Sequence, residues 1–144
     1  MRELFGMDNN IRDLANYRLE CAKEDLNDAV KCLEEHRLRN SANRAYYSIF
    51  HSMRTILALE QKDFKKHSAV IAYFNQNYIK TKIFPSDLFE LIRNASLVRE
   101  ASDYNDFYVA SIDKTKEQVE SAKLIYNLVE TYIKSLESGD DEHV

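Results

Sequence analysis

The sequence predicts an all-α domain built from five helices. Its 144 residues include only two glycines and one proline, whereas strands joined by tight turns need more of both. Apolar residues recur at intervals of three and four positions in separate stretches, which is the period of an α-helix. A chain of this length is typical of one domain and can bury about 68–70% of its unfolded surface. We therefore expect one helical domain over residues 1–136 and a short, frayed acidic tail over 137–144.

The first two helices are predicted from their apolar stripes. The first is expected from Asn10 to His36, where the positions outside the stripe are mostly Lys, Glu and Asp. The second is expected from Ala42 to Gln61. Residues that favour helix caps precede it or lie in its first turn, and the candidates are Asn40, Ser41 and Asn43.

The remaining helices follow turn and cap signals. A basic connection, Lys62–Lys66, leads to a third helix predicted over Ser68–Tyr78. Proline near the first turn is a helix-start signal, and Pro85-Ser86-Asp87 therefore predicts the start of the fourth helix. Asp103–Ser111 breaks the helical pattern and is predicted to be a loop. Ser111 or Asp113 is expected to cap the fifth helix, which should end near Leu136.

The second predicted helix carries the residues best suited to chemistry. Its helical wheel places Arg44, Tyr47, Ser48 and His51 opposite the apolar face. Arg44 and His51 are seven positions apart, so they point almost the same way, with Cα atoms roughly 10 Å apart. Arginine offers a fork of donors for a phosphate, and histidine moves protons near neutral pH. The pair could therefore hold a nucleotide or act on a phosphodiester.

A structural interpretation stays open beside this one. A helix in a bundle often packs on two sides, and Arg44 and His51 would then form a polar seam against another helix or a second subunit. Arg99 has two interpretations as well, because the wheel of the fourth helix turns it inward. It would either pair with Asp103 four positions later or face the second helix and join Arg44 and His51.

The charge balance excludes a general coat for nucleic acids. The net charge is −4 and the isoelectric point about 5.6, whereas such proteins usually carry a basic face. A local basic site is still compatible with this composition. The candidates are Lys62, Lys65, Lys66 and His67 in one connection, together with Arg93 and Arg99 on the fourth helix.

Other classes of function receive no support. The sequence has no apolar run of about 18 residues that would span a membrane and no secretion-signal layout, so a cytoplasmic protein is expected. Cys21 and Cys32 are separated by about 16 Å along one predicted helix, beyond the reach of a disulfide, and should be free thiols. The histidines lack zinc-ligand spacing, so no metal and no cofactor are expected.

Three motifs together resemble a known family. They are Arg44-Ala-Tyr-Tyr-x-x-Phe-His51, Lys66-His67-Ser68 and Arg99-Glu-Ala-Ser-Asp103-Tyr104, and they are similar to those of small HEPN-domain proteins from bacteria and archaea. The resemblance covers roughly Arg12 to Leu136. It implies an up-and-down bundle of four to five helices, often a homodimer. Many such proteins are encoded beside a minimal nucleotidyltransferase and act as toxin–antitoxin or nucleotide-handling pairs.

The resemblance also implies roles for individual residues. Ribonuclease members carry an arginine, then four to six other residues, then a histidine, and Arg44 and His51 fit this spacing loosely, with six residues between them. His51 would carry the proton, Arg44 and Arg99 would stabilise phosphate charge, and Tyr47 or Tyr104 would contact the phosphate or stack on a base. In many members, however, the motif precedes the last helix, and the corresponding stretch from Arg99 to Tyr104 contains no histidine.

Three classes of function therefore remain open. The first is a metal-independent endoribonuclease, the toxin of a pair with a minimal nucleotidyltransferase. The second is a non-catalytic module that binds a nucleotide, or RNA, or presents itself to the nucleotidyltransferase. The third is a structural dimerisation domain with a buried polar network. The residues assigned to the site in the first two classes are Arg44, Tyr47, His51, His67, Arg99, Asp103 and Tyr104.

Overall fold

The predicted fold class is confirmed, because the chain is a bundle of five helices. The computed structural model describes residues 9–105 and 107–142, with side chains up to residue 137. Every regular element in these ranges is helical. The helices are α1 (Asn9–Glu34), α2 (Leu38–Leu59), α3 (His67–Phe74), α4 (Leu88–Tyr104) and α5 (Ile112–Glu142).

The second helix lies at the centre of the bundle. It packs against each of the other four helices, and it contributes more side chains to the buried core than any other helix. The core is apolar and dominated by branched and aromatic residues, as expected for an interior that is packed like a crystal. Its largest fully buried members are Tyr46, Ile49, Met53, Ile56, Leu57, Val70, Phe74, Leu88, Ile92, Val119, Ile125 and Val129.

Small residues bring α1 and α2 into close contact. Ala15, Ala22 and Ala29 recur every seven positions on α1 and are buried. The Ser41 hydroxyl donates to the Ala29 carbonyl at 2.7 Å, and the Ser48 hydroxyl donates to the Ala22 carbonyl at 2.8 Å. As α2 advances by seven residues, its partner on α1 moves back by seven, so the two helices are antiparallel. This α1–α2 seam fixes which residues of α1 face Arg44 and His51.

The start of α2 differs from the prediction. The helix begins at Leu38 rather than Ala42, and its cap residue Arg37 makes no side-chain capping bond. The candidate caps Asn40, Ser41 and Asn43 therefore all lie inside the helix. Ser48 lies opposite the apolar face, as predicted, but it is fully buried because that side of α2 packs against α1. Hydroxyls that bond to a neighbouring helix allow close packing, and a wheel drawn for one helix cannot reveal that neighbour.

Two other helix ends also differ. The predicted third helix changes at Asn75 into a π-helical turn that ends at Ile79. The last helix continues past Leu136 to Glu142, and residues 143–144 of the predicted tail lie outside the described residues, as do residues 1–8 of the predicted domain. At its start the prediction is confirmed, because the Ser111 hydroxyl accepts a bond from the Lys114 amide at 3.1 Å.

The shortage of glycine has a visible consequence at the ends of helices. His36, Gln61 and Lys82 have positive φ values of 59°, 57° and 64°. This left-handed conformation ends helices and is usually taken by glycine, which avoids a cost of about 1–2 kcal/mol. The scarcity of glycine therefore did not mean a scarcity of tight turns.

Two further properties concern the described residues alone. None of their helices is long and apolar enough to cross a membrane. Cys21 and Cys32 are free thiols, as predicted.

Candidate functional site

The side chains of Arg44 and His51 converge on one carboxylate from α1. The Arg44 Nη1 atom donates to Asp25 Oδ1 at 2.9 Å, and His51 Nε2 lies 3.7 Å from Asp25 Oδ2. The exposed fractions of the side chains are 38% for Arg44, 24% for His51 and 13% for Asp25. Arg44 and His51 point the same way, as the helical wheel predicts, and the anion between them is a residue of the chain itself. We call Asp25, Arg44 and His51 the charged triad.

Burial controls the protonation of the charged triad. Burial lowers the pKa of His51 from its ordinary value, and Asp25 opposes this effect, while Arg54, Arg18 and Arg44 add to it. His51 is therefore neutral at pH 7. Burial also raises the pKa of Asp25, against the attraction of Arg44 and His51. A neutral imidazole beside a cation can accept a proton, which is the first requirement of a general base.

The two nitrogens of His51 have different surroundings. The Nδ1 atom is buried and has no hydrogen-bond partner among the described residues, whereas Nε2 faces Asp25. Only Nε2 is placed to exchange a proton with a ligand beside Asp25. The Arg44 guanidinium has five N–H donors, and the bonds to Asp25 and to Asn43 Oδ1 at 2.7 Å leave others available.

Arg99 reaches the same region from α4. Its Nη1 atom donates to the Tyr47 hydroxyl at 3.2 Å and lies 3.5 Å from Asp103. The guanidinium carbon stands 4.8 Å from the ring centroid of Tyr46, within the range of cation–π attraction. Arg99 therefore pairs with Asp103, as one interpretation expected, and it also faces α2, where it contacts Tyr46 and Tyr47 but neither Arg44 nor His51 directly. Tyr47 completes the connection, because its ring centroid is 5.3 Å from the Arg44 guanidinium carbon.

His67 belongs to an aromatic cluster next to Arg99. Its Nδ1 atom is 2.8 Å from the Tyr46 hydroxyl, and its ring stacks on Phe50 with centroids 4.0 Å apart. Burial, followed by Arg99 and Arg54, lowers the pKa of His67. Burial also raises the pKa of Tyr46 to about 12. Both groups are neutral at pH 7, so His67 offers a ring face and a hydrogen bond rather than a charge.

One predicted site residue lies apart from the others. Tyr104 is 79% exposed at the end of α4, and no hydrogen bond or ring contact joins it to the other predicted site residues in the described part of the chain. The structure brings the remaining six together around α2.

Two residues of the site escaped the sequence analysis. Asp25 lies among the Lys, Glu and Asp residues outside the apolar stripe of α1, and only the α1–α2 register distinguishes it. Tyr46 lies on the apolar face of α2, and its ring is fully buried. Its bond to His67 could be suspected only from the rule that a buried tyrosine hydroxyl finds a partner.

A family model described as the HEPN domain matches residues 15–132 of the chain. The chain belongs to the HEPN domain family. The match contains the charged triad, Arg99 and Asp103, so the whole candidate site lies within the HEPN domain. The resemblance of the three sequence motifs is thereby confirmed at the level of the family.

The relatives of this HEPN protein are archaeal and bacterial. A UPF0332 protein of Thermotoga maritima is 27% identical over 128 residues, which is 89% of this chain and 97% of the relative. A protein of Methanocaldococcus jannaschii named "Putative toxin" is 32% identical over 127 residues, 88% of this chain and 87% of the relative. A second protein of that organism with the same kind of name is 35% identical over 80 residues, 56% of this chain and 52% of the relative.

Proposed function

We propose that this HEPN protein is a toxin that cleaves RNA without a metal ion, with the charged triad as its reaction centre. The observation that carries the proposal is the convergence of Arg44 and His51 on the Asp25 carboxylate. A site that already places a cation and an imidazole around one anion suits a phosphodiester. The name of the relatives from Methanocaldococcus jannaschii supports the toxin part.

The proposed reaction is internal attack by a ribose 2′-hydroxyl. Neutral His51 accepts the hydroxyl proton at Nε2 while the 2′-oxygen bonds to phosphorus and the bond to the 5′-oxygen breaks. The leaving oxygen takes a proton from water, and the products are a 2′,3′-cyclic phosphate and a 5′-hydroxyl end. Arg44 stabilises the charge that develops on the phosphoryl oxygens. Asp25 stabilises the imidazolium that forms beside it.

A second candidate function has its own supporting observation. Asp25 already neutralises Arg44, and the Nδ1 atom of His51 is buried without a partner among the described residues. A closed arrangement of this kind suits a module that binds a nucleotide, or a nucleotidyltransferase, and cleaves nothing. In both cases we propose a minimal nucleotidyltransferase as the partner, which would neutralise the toxin in the first case and bind the module in the second. The first case has its own test. Co-expression with a nucleotidyltransferase encoded beside this chain should then relieve growth arrest.

The deciding experiment compares RNA cleavage and stability in the same variants. His51→Ala should reduce cleavage by about 10²- to 10⁴-fold, as expected for a general base. Arg44→Ala should reduce it by about 10²- to 10³-fold, as expected for a donor to the developing charge. A chelator should have no effect. The matched control is His36→Asn, which removes an exposed imidazole and keeps a residue type that tolerates the positive φ of this position.

A purely structural role predicts a different pattern. Each substitution would leave a partner in the triad unsatisfied and lower the free energy of unfolding by about 1–3 kcal/mol. Large destabilisation by both variants, with wild-type protein that neither cleaves RNA nor arrests growth, would rule out the proposed reaction.

A further inference from the structure

We propose that two neighbouring clefts on either side of His67 form a binding track for single-stranded RNA, separate from the charged triad. The choice of RNA as the ligand rests on the proposed function. The clefts themselves use residues that the reaction leaves aside. They also bring together the two basic clusters that the sequence suggested independently, Lys65 with His67 and Arg93 with Arg99.

The first cleft lies between α2 and the connection that follows it. It has a volume of about 360 Å³ and is lined by Phe50, Arg54, Asp63, Phe64, Lys65 and His67. Its one carboxylate is already shared, because Asp63 pairs with Arg54 at 3.1 Å and with Arg18 at 3.4 Å. Lys65 is exposed and forms no ion pair with any residue that the structure describes. The cleft therefore combines aromatic rings with an excess of positive charge.

The second cleft lies between α3, the π-helical turn and α4. It has a volume of about 430 Å³, and its lining includes His67, Lys80, Phe89, Arg93, Leu97 and Arg99. Its apolar surface is accessible, since Leu97 is 51% exposed. Lys80 is exposed and, within the described ranges, has no acidic partner. The second cleft thus repeats the combination of the first, an apolar wall with cations at its edge.

The two clefts are neighbours, because His67 lines both. Their linings together hold five cations, Arg54, Lys65, Lys80, Arg93 and Arg99, against the two carboxylates of Asp63 and Glu100. Arg93 and Arg99 also pair with Glu90 and Asp103 outside the linings, so Lys65 and Lys80 are the two cations of the clefts without an ion pair among the described residues. The chain as a whole has a net charge of −4, so the excess of positive charge at the clefts is not a general property of the surface.

The proposed class of ligand follows from the alternation of apolar walls and cations along the two clefts. Successive bases joined by phosphates present the same alternation, and unpaired bases stack on aromatic or apolar side chains while Lys and Arg contact the backbone. A duplex hides its bases and cannot use the cleft walls. The neutral His67 ring, stacked on Phe50 at 4.0 Å, separates the two base positions. Arg99 then connects the track to the reaction centre through Tyr47.

The test measures binding of a short single-stranded RNA whose 2′-hydroxyls are methylated, so that it lacks the nucleophile and stays intact. Fluorescence anisotropy over a salt series gives both the affinity and the salt slope. The variant Lys65→Glu/Lys80→Glu should bind about tenfold more weakly or worse. Its salt slope should fall by about 1.4, because each lost phosphate contact on a single strand is worth about 0.7. The matched control is Lys114→Glu/Lys116→Glu, which reverses two exposed charges on α5.

The outcomes separate the track from the reaction. Equal affinities and slopes for the two double variants, or a blunt duplex that binds as tightly as the single strand, would overturn the track even if wild-type protein cleaves RNA. Binding with the expected slopes, together with no cleavage of unmodified RNA, would leave the track standing and remove the reaction.

Discussion

At the scale of single residues, the charged triad links the protonation of the site to the stability of the fold. His51 and His67 both have pKa values below the ordinary 6.5. The unfolded chain therefore binds their protons first as the pH falls, and stability decreases below about pH 6.5. Asp25 acts in the opposite direction at lower pH, because its pKa lies above the ordinary 3.8. Its protonation in the folded state offsets part of the loss there.

We expect the free energy of unfolding to be flat near pH 7.5 and to fall as the pH drops through 6.5. His51→Gln should remove part of this fall, whereas His36→Asn, on an exposed residue, should leave it intact. Urea denaturation at a series of pH values measures both. A profile that stays flat down to pH 5 would show that neither buried histidine is held neutral by the fold.

A second substitution tests the cause of the shift at His51. Among the described residues, Asp25 is the one group that raises the pKa of His51, so Asp25→Asn should lower that pKa below the wild-type value. The pKa of His67 should stay where it is, because its shift comes from burial, Arg99 and Arg54. NMR titration of the imidazole protons follows both rings in one sample, and an unchanged His51 would show that the carboxylate does not act on it.

At the scale of elements, the α1–α2 seam determines the geometry of the site. Ala22 is fully buried, and its carbonyl accepts from Ser48, one turn before Asp25 on α1. Any side chain larger than alanine must push the helices apart. The distance between Asp25 and Arg44 would then increase together with the loss of packing.

Ala22→Leu should therefore destabilise the protein by about 1–3 kcal/mol, the usual cost of overpacking. Lys23→Leu is the matched control, since it places the same side chain on the neighbouring exposed position and should change stability by less than about 0.5 kcal/mol. Thermal or urea denaturation of the two variants measures the change in the free energy of unfolding. Equal effects would mean that the seam is not closely packed in solution.

The sequence predicted the helices well and the site only in part. Helical period and scarce glycine were enough for five helices, because these signals are local to each element. Asp25 and Ser48 were missed because their roles depend on the register between two helices, and no periodicity within one helix encodes that register. The end of the third helix was missed for another reason, since the π-helical turn at Asn75–Ile79 keeps the same residue types as an α-helix.

At the scale of the whole molecule, the open question is association. The connection after α4 exposes apolar side chains, with Phe107 at 91% and Val109 at 85%, next to Tyr104. Exposed apolar groups gathered in one stretch often mark an interface. The homodimer that the family resemblance implies thus stays a prediction with a candidate contact surface, formed as an isologous pair.

Sedimentation at micromolar concentration should show a dimer of the 16.9 kDa chain. Val109→Glu should shift the equilibrium toward monomer, since an isologous contact places two new charges close together. Ile83→Glu is the matched control, because Ile83 is 47% exposed in a different connection. A single 16.9 kDa species for the wild type would contradict the dimer.

The α1–α2 seam also bears on the order in which the chain folds. The two helices are separated only by residues 35–37, and closing a short connection costs less entropy than closing a long one. A hairpin of α1 and α2 therefore loses the least entropy when it forms, and it contains all three residues of the charged triad. Helix α5 must arrive from the far end of the chain. Substitutions in the seam should slow folding, whereas those in α5 should mainly speed unfolding. The charged triad would then be assembled in the first part of the chain to fold.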